Sequence, residues 1–323
     1  MVRIPPQERD IHTPPHHYFP NLLGRAQNPD GGWGYRQGLQ SATEPTAWSI
    51  LALLAHEVPS DEVISSACDR LCRTQREDGS WPTSSGKEPG CWVTALACLA
   101  LANAAENSDD SVSRGTKWLC DAWPAEGNLM WRLRQLRREK SGAVVHQDHS
   151  LRGWGWTPNT ASWVEPTAYV MIMLQNVRPE LRPPQAARRL QMATDMLYDR
   201  ACAGGGWNAG NPLVYGVPGV PRIGPTAWAL LALRSHPKHA AVLQGLEWLE
   251  GHYRNPRSPA SLALTQLCLK AFNRPTRPIG DALFDFYHAN EFLQSIPVVA
   301  WASLALSDLP RWLEPSSPAK GVK

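Results

Sequence analysis

The sequence lacks several features that define common classes of protein. It contains no run of about 18 apolar residues, so we expect no membrane-spanning helix. Its first residues, MVRIPPQERD, lack a cationic segment followed by an apolar one, which predicts no secretory signal peptide. The 32 Lys and Arg residues nearly balance the 29 Asp and Glu residues, and no basic stripe carries interleaved aromatics. We therefore expect no nucleic-acid partner.

The pattern of cysteines does not resemble a disulfide framework. The chain has 7 cysteines in 323 residues, an odd number for paired bridges. Cys68 and Cys72 fall on one predicted helix, and Cys91 and Cys98 fall on another. We interpret the cysteines as small buried core residues of a protein in the reducing cytoplasm.

Tryptophan, proline and glycine are abundant instead. The 15 tryptophans are about three times ordinary usage, and 29 prolines with 24 glycines are many for a chain rich in helix-forming segments. The prolines recur in related phrases, EPTAW at 44–48, EPTAY at 165–169 and GPTAW at 224–228. Proline suits the first position of a helix, where its missing N–H costs nothing. Each phrase is therefore predicted to open a helix.

These phrases belong to a longer repeated unit. The unit is a helix, a Gly-Trp loop, a Pro or small residue, and a second helix rich in Ala and Leu. The clear copies occupy 26–55, 74–102, 146–175 and 201–233, and weaker copies have second helices near 258–272 and 296–306. Such repetition outweighs chain length as an indication of domain number, so one repetitive domain is predicted.

The two kinds of helix in the unit differ in polarity. Segments such as TAWSILALLA are apolar on nearly every side and should be buried on all faces, whereas SDEVISSACDRLCRTQ is amphipathic and should lie outside. The alternation predicts an all-α fold, a single α/α toroid or (α/α)6 barrel of about six helical hairpins with Gly/Trp-rich loops. We place the barrel at 18–309, between a flexible N-terminal tail at 1–17 and a C-terminal tail at 310–323.

The Gly-Trp loops carry a recognisable motif. A glutamine, an Asp-Gly pair and a tryptophan recur in order at Gln27, Asp30, Gly31 and Trp33, and again at Gln75, Asp78, Gly79 and Trp81. This pattern resembles the QW motif of triterpene cyclases, and the Thr-Ala-aromatic openings resemble squalene–hopene cyclase and its relatives. The β subunits of protein prenyltransferases are similar and have the same barrel. The resemblance covers about residues 20 to 306 and implies an isoprenoid-processing enzyme that needs no cofactor.

Two glutamates are the candidate catalytic residues. In the cyclases the general acid is the middle Asp of a DxDDTA motif, and alignment on Thr-Ala places Glu44 and Glu165 at that position. Neither has the motif's other acids beside it. The helix dipole would lower the pKa of each carboxyl, whereas burial in an apolar cavity would raise it. In the alternative interpretation, each glutamate accepts backbone N–H bonds at its own helix start.

The resemblance also implies candidate substrate contacts from aromatic side chains. Aromatic faces can stabilise carbocations, although the same rings could simply pack in the inner ring. The candidate substrate-binding residues are Trp48, Trp92, Tyr169, Trp228, Tyr287 and His288.

The sequence does not predict a metal site. The pair Tyr287-His288 matches a zinc-ligand sequence of prenyltransferases, but the helix start RIGPTAW has neither the Asp nor the Cys of that site. A zinc site needs at least about three protein ligands. His288 is therefore interpreted as a hydrogen-bonded helix residue. The cluster of His146, Asp148 and His149 aligns with an ordinary QW loop, so we expect no metal there.

Three functional hypotheses follow from the sequence. The first is an isoprenoid-processing enzyme that begins cyclisation of a polyprenyl substrate with an acid. The second is a non-catalytic barrel that binds a lipid or a protein partner, and the third is a carbohydrate-active enzyme on the same toroid. Triterpene cyclases resemble two joined barrels with the cavity between them, so a single barrel would need a shallower site, a partner protein or a homodimer. The run RLRQLRREK at 132–140 is either a solvated face or a contact for anionic lipid or diphosphate, which allows a peripheral membrane contact.

Overall fold

The computed structural model describes residues 15–56, 61–84, 86, 88–104, 106–127, 148–253 and 258–314. In these ranges the chain forms twelve α-helices. They are α1 (Pro15–Arg25), α2 (Thr43–Leu53), α3 (Asp61–Thr74), α4 (Val93–Ala104), α5 (Asp109–Asp121), α6 (Val164–Asn176), α7 (Ala186–Asp199), α8 (Ile223–Ala232), α9 (Ala240–His252), α10 (Pro259–Ala271), α11 (Gly280–Asn290) and α12 (Ile296–Leu306). A short antiparallel hairpin pairs β1 (Leu213–Val214) with β2 (Val217–Pro218).

The even-numbered helices form a closed inner ring. Helix α2 packs on α4, α4 on α6, α6 on α8, α8 on α10, α10 on α12, and α12 returns to α2. Each odd-numbered helix lies outside the ring and packs on the inner helix of the preceding hairpin, with α3 on α2, α5 on α4, α7 on α6, α9 on α8, α11 on α10 and α1 on α12. The result is six helical hairpins around one axis. The predicted all-α (α/α)6 toroid is confirmed.

Burial separates the two rings as the sequence pattern requires. Every residue of the inner helix α2 except Glu44 is buried. The outer helix α3 buries one face, which carries Ile64, Cys68 and Leu71, and exposes charged residues on the other. An inner helix can be apolar all round because neighbouring helices cover every side. Six of the seven cysteines are buried, in accordance with their interpretation as core residues.

Each of four Gly-Trp loops is fixed by the same two hydrogen bonds. The indole N–H of the loop tryptophan donates to a carbonyl near the end of the preceding outer helix. The pairs are Trp33 to Leu23 (2.8 Å), Trp81 to Leu71 (2.7 Å), Trp154 to Leu119 (2.7 Å) and Trp207 to Leu197 (2.6 Å). The backbone N–H of the same tryptophan donates to an inner-helix threonine hydroxyl, at Thr46 (3.0 Å) and at Thr94, Thr167 and Thr226 (2.9 Å each). The threonine of the repeated Thr-Ala is thus a loop anchor, and the indole N–H joins the loop to the C-terminal end of the outer helix.

The motif glutamines join neighbouring hairpins. The side-chain amide of Gln27 donates to the carbonyl of Gly31 in its own loop and to that of Val63 in α3, both at 2.8 Å. Gly31 has φ +87°, and a Cβ there would lie 2.4 Å from the carbonyl oxygen of Ser66. Glycine is therefore required for the loop to approach the next outer helix. The QW motif is accounted for by its role in the fold.

The ends of the chain are only partly described. Helix α1 begins at Pro15, and Trp312 and Leu313 are buried against the core. Most of the two predicted tails lies outside the described residues, so their boundaries stay predictions. The basic run at 132–140 and His146 also lie outside them. None of the described helices is long and apolar enough to cross a bilayer.

We predict that the threonine anchor contributes measurably to stability. Thr94→Val leaves the buried N–H of Trp81 without its acceptor, which should lower the free energy of unfolding by about 1–3 kcal/mol. Urea denaturation followed by circular dichroism measures the change. Thr160→Val is the control, because its exposed hydroxyl bonds only to the carbonyl of Thr157 in the same turn. Equal losses in the two variants would contradict the anchoring role.

Candidate functional site

Three of the predicted aromatic residues meet on the axis of the inner ring. Trp48, Tyr169 and Trp228 follow Thr-Ala in their respective helices and therefore lie at the same height along the axis. The ring centroids of Trp48 and Trp228 are 5.2 Å apart in a stacked arrangement, and Tyr169 lies edge-on at 5.0 Å from Trp228 and 6.0 Å from Trp48. All three are buried. The fold thus joins residues from three separate repeats into one aromatic cluster.

Further aromatic side chains extend this axial cluster. Trp92, which comes just before α4, stacks on Tyr169 with centroids 5.3 Å apart. Trp301 of α12 lies 6.0 Å from Trp48, and Trp312 lies 6.4 Å from it. Trp301 and Trp312 were not predicted as site residues. The Ala-Trp step at 300–301 repeats the Ala-aromatic step of the clear copies and could have identified Trp301.

The N-termini of the inner helices share one end of the barrel. Hydrogen bonds join the loops that precede successive inner helices, because the N–H groups of Thr43, Trp92, Val164 and Ile296 donate to carbonyls of Thr83, Trp156, Ala209 and Tyr35. We call this end the N-terminal rim. Glu44 and Glu165 lie in the first turns of α2 and α6, so both belong to it.

Both carboxyl groups approach the axial cluster. Burial raises the pKa of Tyr169 well above its usual value, and the negative charges of Glu165 and Glu44 raise it further. Oε1 of Glu165 also lies 3.5 Å from the point that a Cβ on Gly224 would occupy, at the start of α8. The two predicted acids therefore lie on the same side of the aromatic rings.

Glu44 is a half-buried carboxyl with one hydrogen-bond donor. The hydroxyl of Tyr35 donates to its Oε2 at 2.7 Å. Burial raises the pKa of Glu44, and Tyr35 opposes that rise in part. The indole N–H of Trp48 is close enough to lower this pKa as well, but it does not form a hydrogen bond of ordinary geometry. Tyr35 was not predicted as a site residue, and no sequence motif would have identified it.

Glu165 is half-buried without such a donor. Its carboxylate accepts no hydrogen bond from the part of the chain that the structure describes, and burial alone raises its pKa. Neither glutamate accepts a backbone N–H at its own helix start within the described residues, since the side-chain contact of Glu44 is to Tyr35. Burial therefore outweighs the helix dipole at both positions.

The structure does not bring Tyr287 and His288 to the axial cluster. They lie on the outer helix α11, where the ring of Tyr287 is 5.5 Å from Tyr18 and 5.2 Å from Phe292. His288 is exposed, with its ring 6.0 Å from that of Phe284. A role for these two residues in substrate binding stays a prediction. Among the described residues, no group of three or more His, Cys, Asp or Glu side chains is arranged to hold a metal ion.

The opposite end of the barrel carries basic side chains. Nζ of Lys270 donates to the carbonyls of Ala305 (2.8 Å) and Ser307 (2.6 Å). A guanidinium N–H of Arg234 donates to the carbonyl of Trp312 at 3.2 Å. Burial lowers the pKa of Arg234 to about 10. Cations satisfy carbonyls at and beyond the C-terminus of α12 at this end, whereas Glu44 and Glu165 lie at the N-terminal rim.

The axis itself is closely packed. A cavity of about 20 Å³ lies beside Trp92, lined also by Trp118, Trp123 and Trp154. That is room for about one water molecule. The aromatic rings therefore form a floor beneath the two glutamates. A larger molecule would have to lie above the rings or displace them.

Comparisons with known proteins identify the fold. No family model matches the sequence, and no curated protein matches it. Among solved structures, the type II terpene cyclase MstE from Scytonema, in complex with geranylgeranyl dihydroxybenzoate, matches with TM-score 0.59 and 14% identity over 90% of this chain and 95% of that chain. A protein from Actinoplanes matches with TM-score 0.57 and 16% identity over 90% and 97% of the two chains.

A larger structure matches over part of its length. The ent-copalyl diphosphate synthase from Streptomyces platensis has TM-score 0.52 and 18% identity, over 82% of this chain and 50% of that chain. At these identities the likeness shows the fold. These matches support the predicted α/α barrel as a fold that this chain shares with the two terpene cyclases.

We predict a pH-dependent effect of removing Glu165. Because burial raises its pKa in the folded state, the unfolded chain loses this proton first, and the folded state becomes less stable as pH rises between the two values. Glu165→Gln should therefore gain stability relative to the parent protein across that interval, by about 1.4 kcal/mol for each pKa unit of difference.

Urea denaturation at a series of pH values from acidic to neutral measures this effect. Glu180→Gln, on an exposed short helix, is the matched control and should show a constant difference from the parent protein. A constant difference for Glu165→Gln as well would show that burial does not raise its pKa.

Proposed function

We propose that this protein is an isoprenoid-processing enzyme that cyclises a polyprenyl substrate, with Glu165 as the proton donor. The observation that supports this most is the placement of two half-buried glutamates on one rim above an aromatic floor. A general acid must keep its proton until the reaction, and burial raises the pKa of both carboxyl groups. Glu165 is preferred because no donor among the described residues stabilises its charged form, whereas Tyr35 stabilises that of Glu44.

The proposed reaction adds one proton to the substrate at its start and removes one from it at its end. Glu165 gives its proton to one carbon of a terminal double bond, the π electrons form the new C–H bond, and the neighbouring carbon becomes a cation. The ring faces of Tyr169, Trp48 and Trp228 stabilise that cation. A second double bond attacks the cation and closes a ring, and the final cation loses a proton to the carboxylate of Glu44. Substrate and product are isomers, so no oxidant or reductant is consumed.

The two glutamates then return to their starting states by exchanging a proton with water. Glu44 is connected to solvent through Tyr35, whose side chain is 41% exposed. In this scheme Tyr35 is a positioning residue that holds Glu44 as the anion between turnovers.

Two structural neighbours support the choice of substrate class. MstE is described in complex with geranylgeranyl dihydroxybenzoate as substrate and with merosterolic acid A as product. The second neighbour is an ent-copalyl diphosphate synthase. We propose that this chain likewise takes an apolar isoprenoid or lipid small molecule. A protein partner or homodimer, a cytoplasmic location and peripheral contact with a membrane are further parts of the proposal.

A second candidate function is non-catalytic binding of a lipid by the barrel. It is supported by the packing of Trp48, Tyr169 and Trp228, whose centroids are 5.0 to 6.0 Å apart and fill the axis. A filled centre is what a scaffold requires, whereas a cyclase requires the substrate to reach the acids from the rim.

Incubation with isoprenoids tests the first proposal. Purified protein is mixed with geranylgeranyl diphosphate, geranylgeranyl dihydroxybenzoate or squalene. The extracts are separated by chromatography, and the masses of the compounds are measured by mass spectrometry. We expect a new compound with the mass of its substrate. Glu165→Gln should lower the rate by about 100-fold or more, which is the contribution of general acid catalysis.

Two controls complete the experiment. Glu180→Gln should keep the parent rate, and Tyr35→Phe should lower the rate by less than Glu165→Gln does. Unchanged substrates in every reaction would reject the enzyme proposal. Quenching of tryptophan fluorescence by the same compounds, without turnover, would then favour the binding barrel.

A further inference from the structure

One inner helix carries a glycine that the fold does not require. Among the described residues, the six inner helices contain a single glycine, Gly224, which is the second residue of α8. Its φ lies outside the left-handed region, so the backbone conformation is open to any residue. No backbone atom stands where its Cβ would lie, in contrast to Gly31. Since glycine within a helix lowers stability relative to alanine, the fold does not account for a glycine at this position.

Gly224 occupies the same position of the repeat as the two candidate acids. It comes two residues before the Thr-Ala pair of its helix, as Glu44 and Glu165 do in theirs. In the second copy of the repeat this position is held by Trp92. Because α6 packs on both α4 and α8, Glu165 has Trp92 on one side and Gly224 on the other. The largest and the smallest kind of residue thus flank one carboxyl group.

The side of Glu165 that faces α4 is filled by aromatic rings. The ring of Trp92 stacks on Tyr169 with centroids 5.3 Å apart, and it meets Trp156 edge-on at 5.1 Å. The cavity of about 20 Å³ beside Trp92 has room for about one water molecule. An apolar chain therefore cannot approach Glu165 from this side without displacing Trp92.

The side of Glu165 that faces α8 has an unfilled space instead. A Cβ on Gly224 would lie 3.5 Å from Oε1 of Glu165, and no other described atom outside its own helical turn lies within 4 Å of that point. Gly224 and Glu165 are both half-buried, so this space is a recess in the rim. Reacting atoms lie about 3–3.5 Å apart in a productive complex. A ligand carbon in the recess would therefore be in position to receive the proton of Glu165.

We propose that the recess at Gly224 admits the branched end of an isoprenoid to Glu165, so that Gly224 determines specificity for that end. An isoprenoid chain ends in a double bond whose outer carbon bears two methyl groups. Protonation of the inner carbon leaves a tertiary cation on the outer carbon, which the ring of Tyr169 stabilises. Any side chain at position 224 would occupy the space that this end needs. The inference rests on the proposed function for its class of ligand.

Reaction of the full chain with a carbodiimide tests the recess without turnover. N,N′-Diisopropylcarbodiimide is apolar and modifies carboxyl groups that hold a proton. At mildly acidic pH, peptide mass spectrometry measures the rate of modification at Glu165, with the exposed Glu180 as the reference in the same digest. We expect Glu165 to react. Geranylgeraniol, which has the branched end, should slow this reaction more than 1-hexadecanol, which lacks it.

Two substitutions fill the recess stepwise. Gly224→Val should abolish the protection by geranylgeraniol and slow the modification of Glu165, and Gly224→Ala should do so in part. In the cyclisation assay, Gly224→Ala should lower kcat/KM by about 10- to 200-fold, the effect of one methyl group in an apolar site. The midpoint of urea denaturation should stay the same or rise, which separates a filled recess from a loss of folding. Gly251→Ala and Gly251→Val are the matched controls, because Gly251 of α9 is exposed and a Cβ on it would meet no atom within 4 Å.

Three outcomes would overturn the proposal. Glu165 could fail to react in the parent protein, or it could react in Gly224→Val at the parent rate. The two alcohols could also protect it equally, which would show that the recess does not recognise a branched end. Selective protection by geranylgeraniol without any cyclised product would reject the proposed enzyme and support the recess as a binding site. The two proposals can therefore fail separately.

Discussion

The barrel depends on the hydrogen bond between a loop tryptophan N–H and a threonine hydroxyl near the start of each clear inner helix. At Trp33 and Thr46 this bond is 3.0 Å long, and the indole of the same tryptophan satisfies a carbonyl of the outer helix at 2.8 Å. One residue thereby joins the outer helix, the loop and the inner helix of a hairpin. Repetition of that connection gives the four hairpins that carry it the same orientation, so α2, α4, α6 and α8 all start at one rim. The position of both glutamates follows from this.

The chemistry at the rim is decided by a competition between two physical effects. A helix N-terminus favours the charged form of Glu44 and Glu165, whereas removal from water favours the neutral form. In the folded barrel burial is stronger at both, and the pKa of each is raised. The hydroxyl of Tyr35 makes the two sites unequal, because it reaches Glu44 and not Glu165. Two residues with the same sequence context therefore have different hydrogen-bond environments.

The aromatic axis constrains what the site can accept. Trp48 and Trp228 stack at 5.2 Å and are buried, which gives a carbocation suitable ring faces but leaves little free volume beneath the acids. Their burial gives no support to the hypothesis of a carbohydrate-active enzyme, since sugar rings stack on exposed aromatics. The two carboxyl groups and the aromatic floor thus share one end of the barrel, while Lys270 and Arg234 lie at the other.

The sequence by itself determined the fold, because the periodic alternation of wholly apolar and amphipathic helices has few packing solutions other than two concentric rings. It also selected Trp48, Tyr169, Trp228, Glu44 and Glu165, since these occupy equivalent positions of the repeat. The tertiary structure decided what repetition cannot encode. It placed Tyr287 and His288 on the outer layer and brought Tyr35 to Glu44, because such contacts depend on how loops close in space. It also decided the direction of both pKa shifts, because solvent exclusion exists only after the ring has closed.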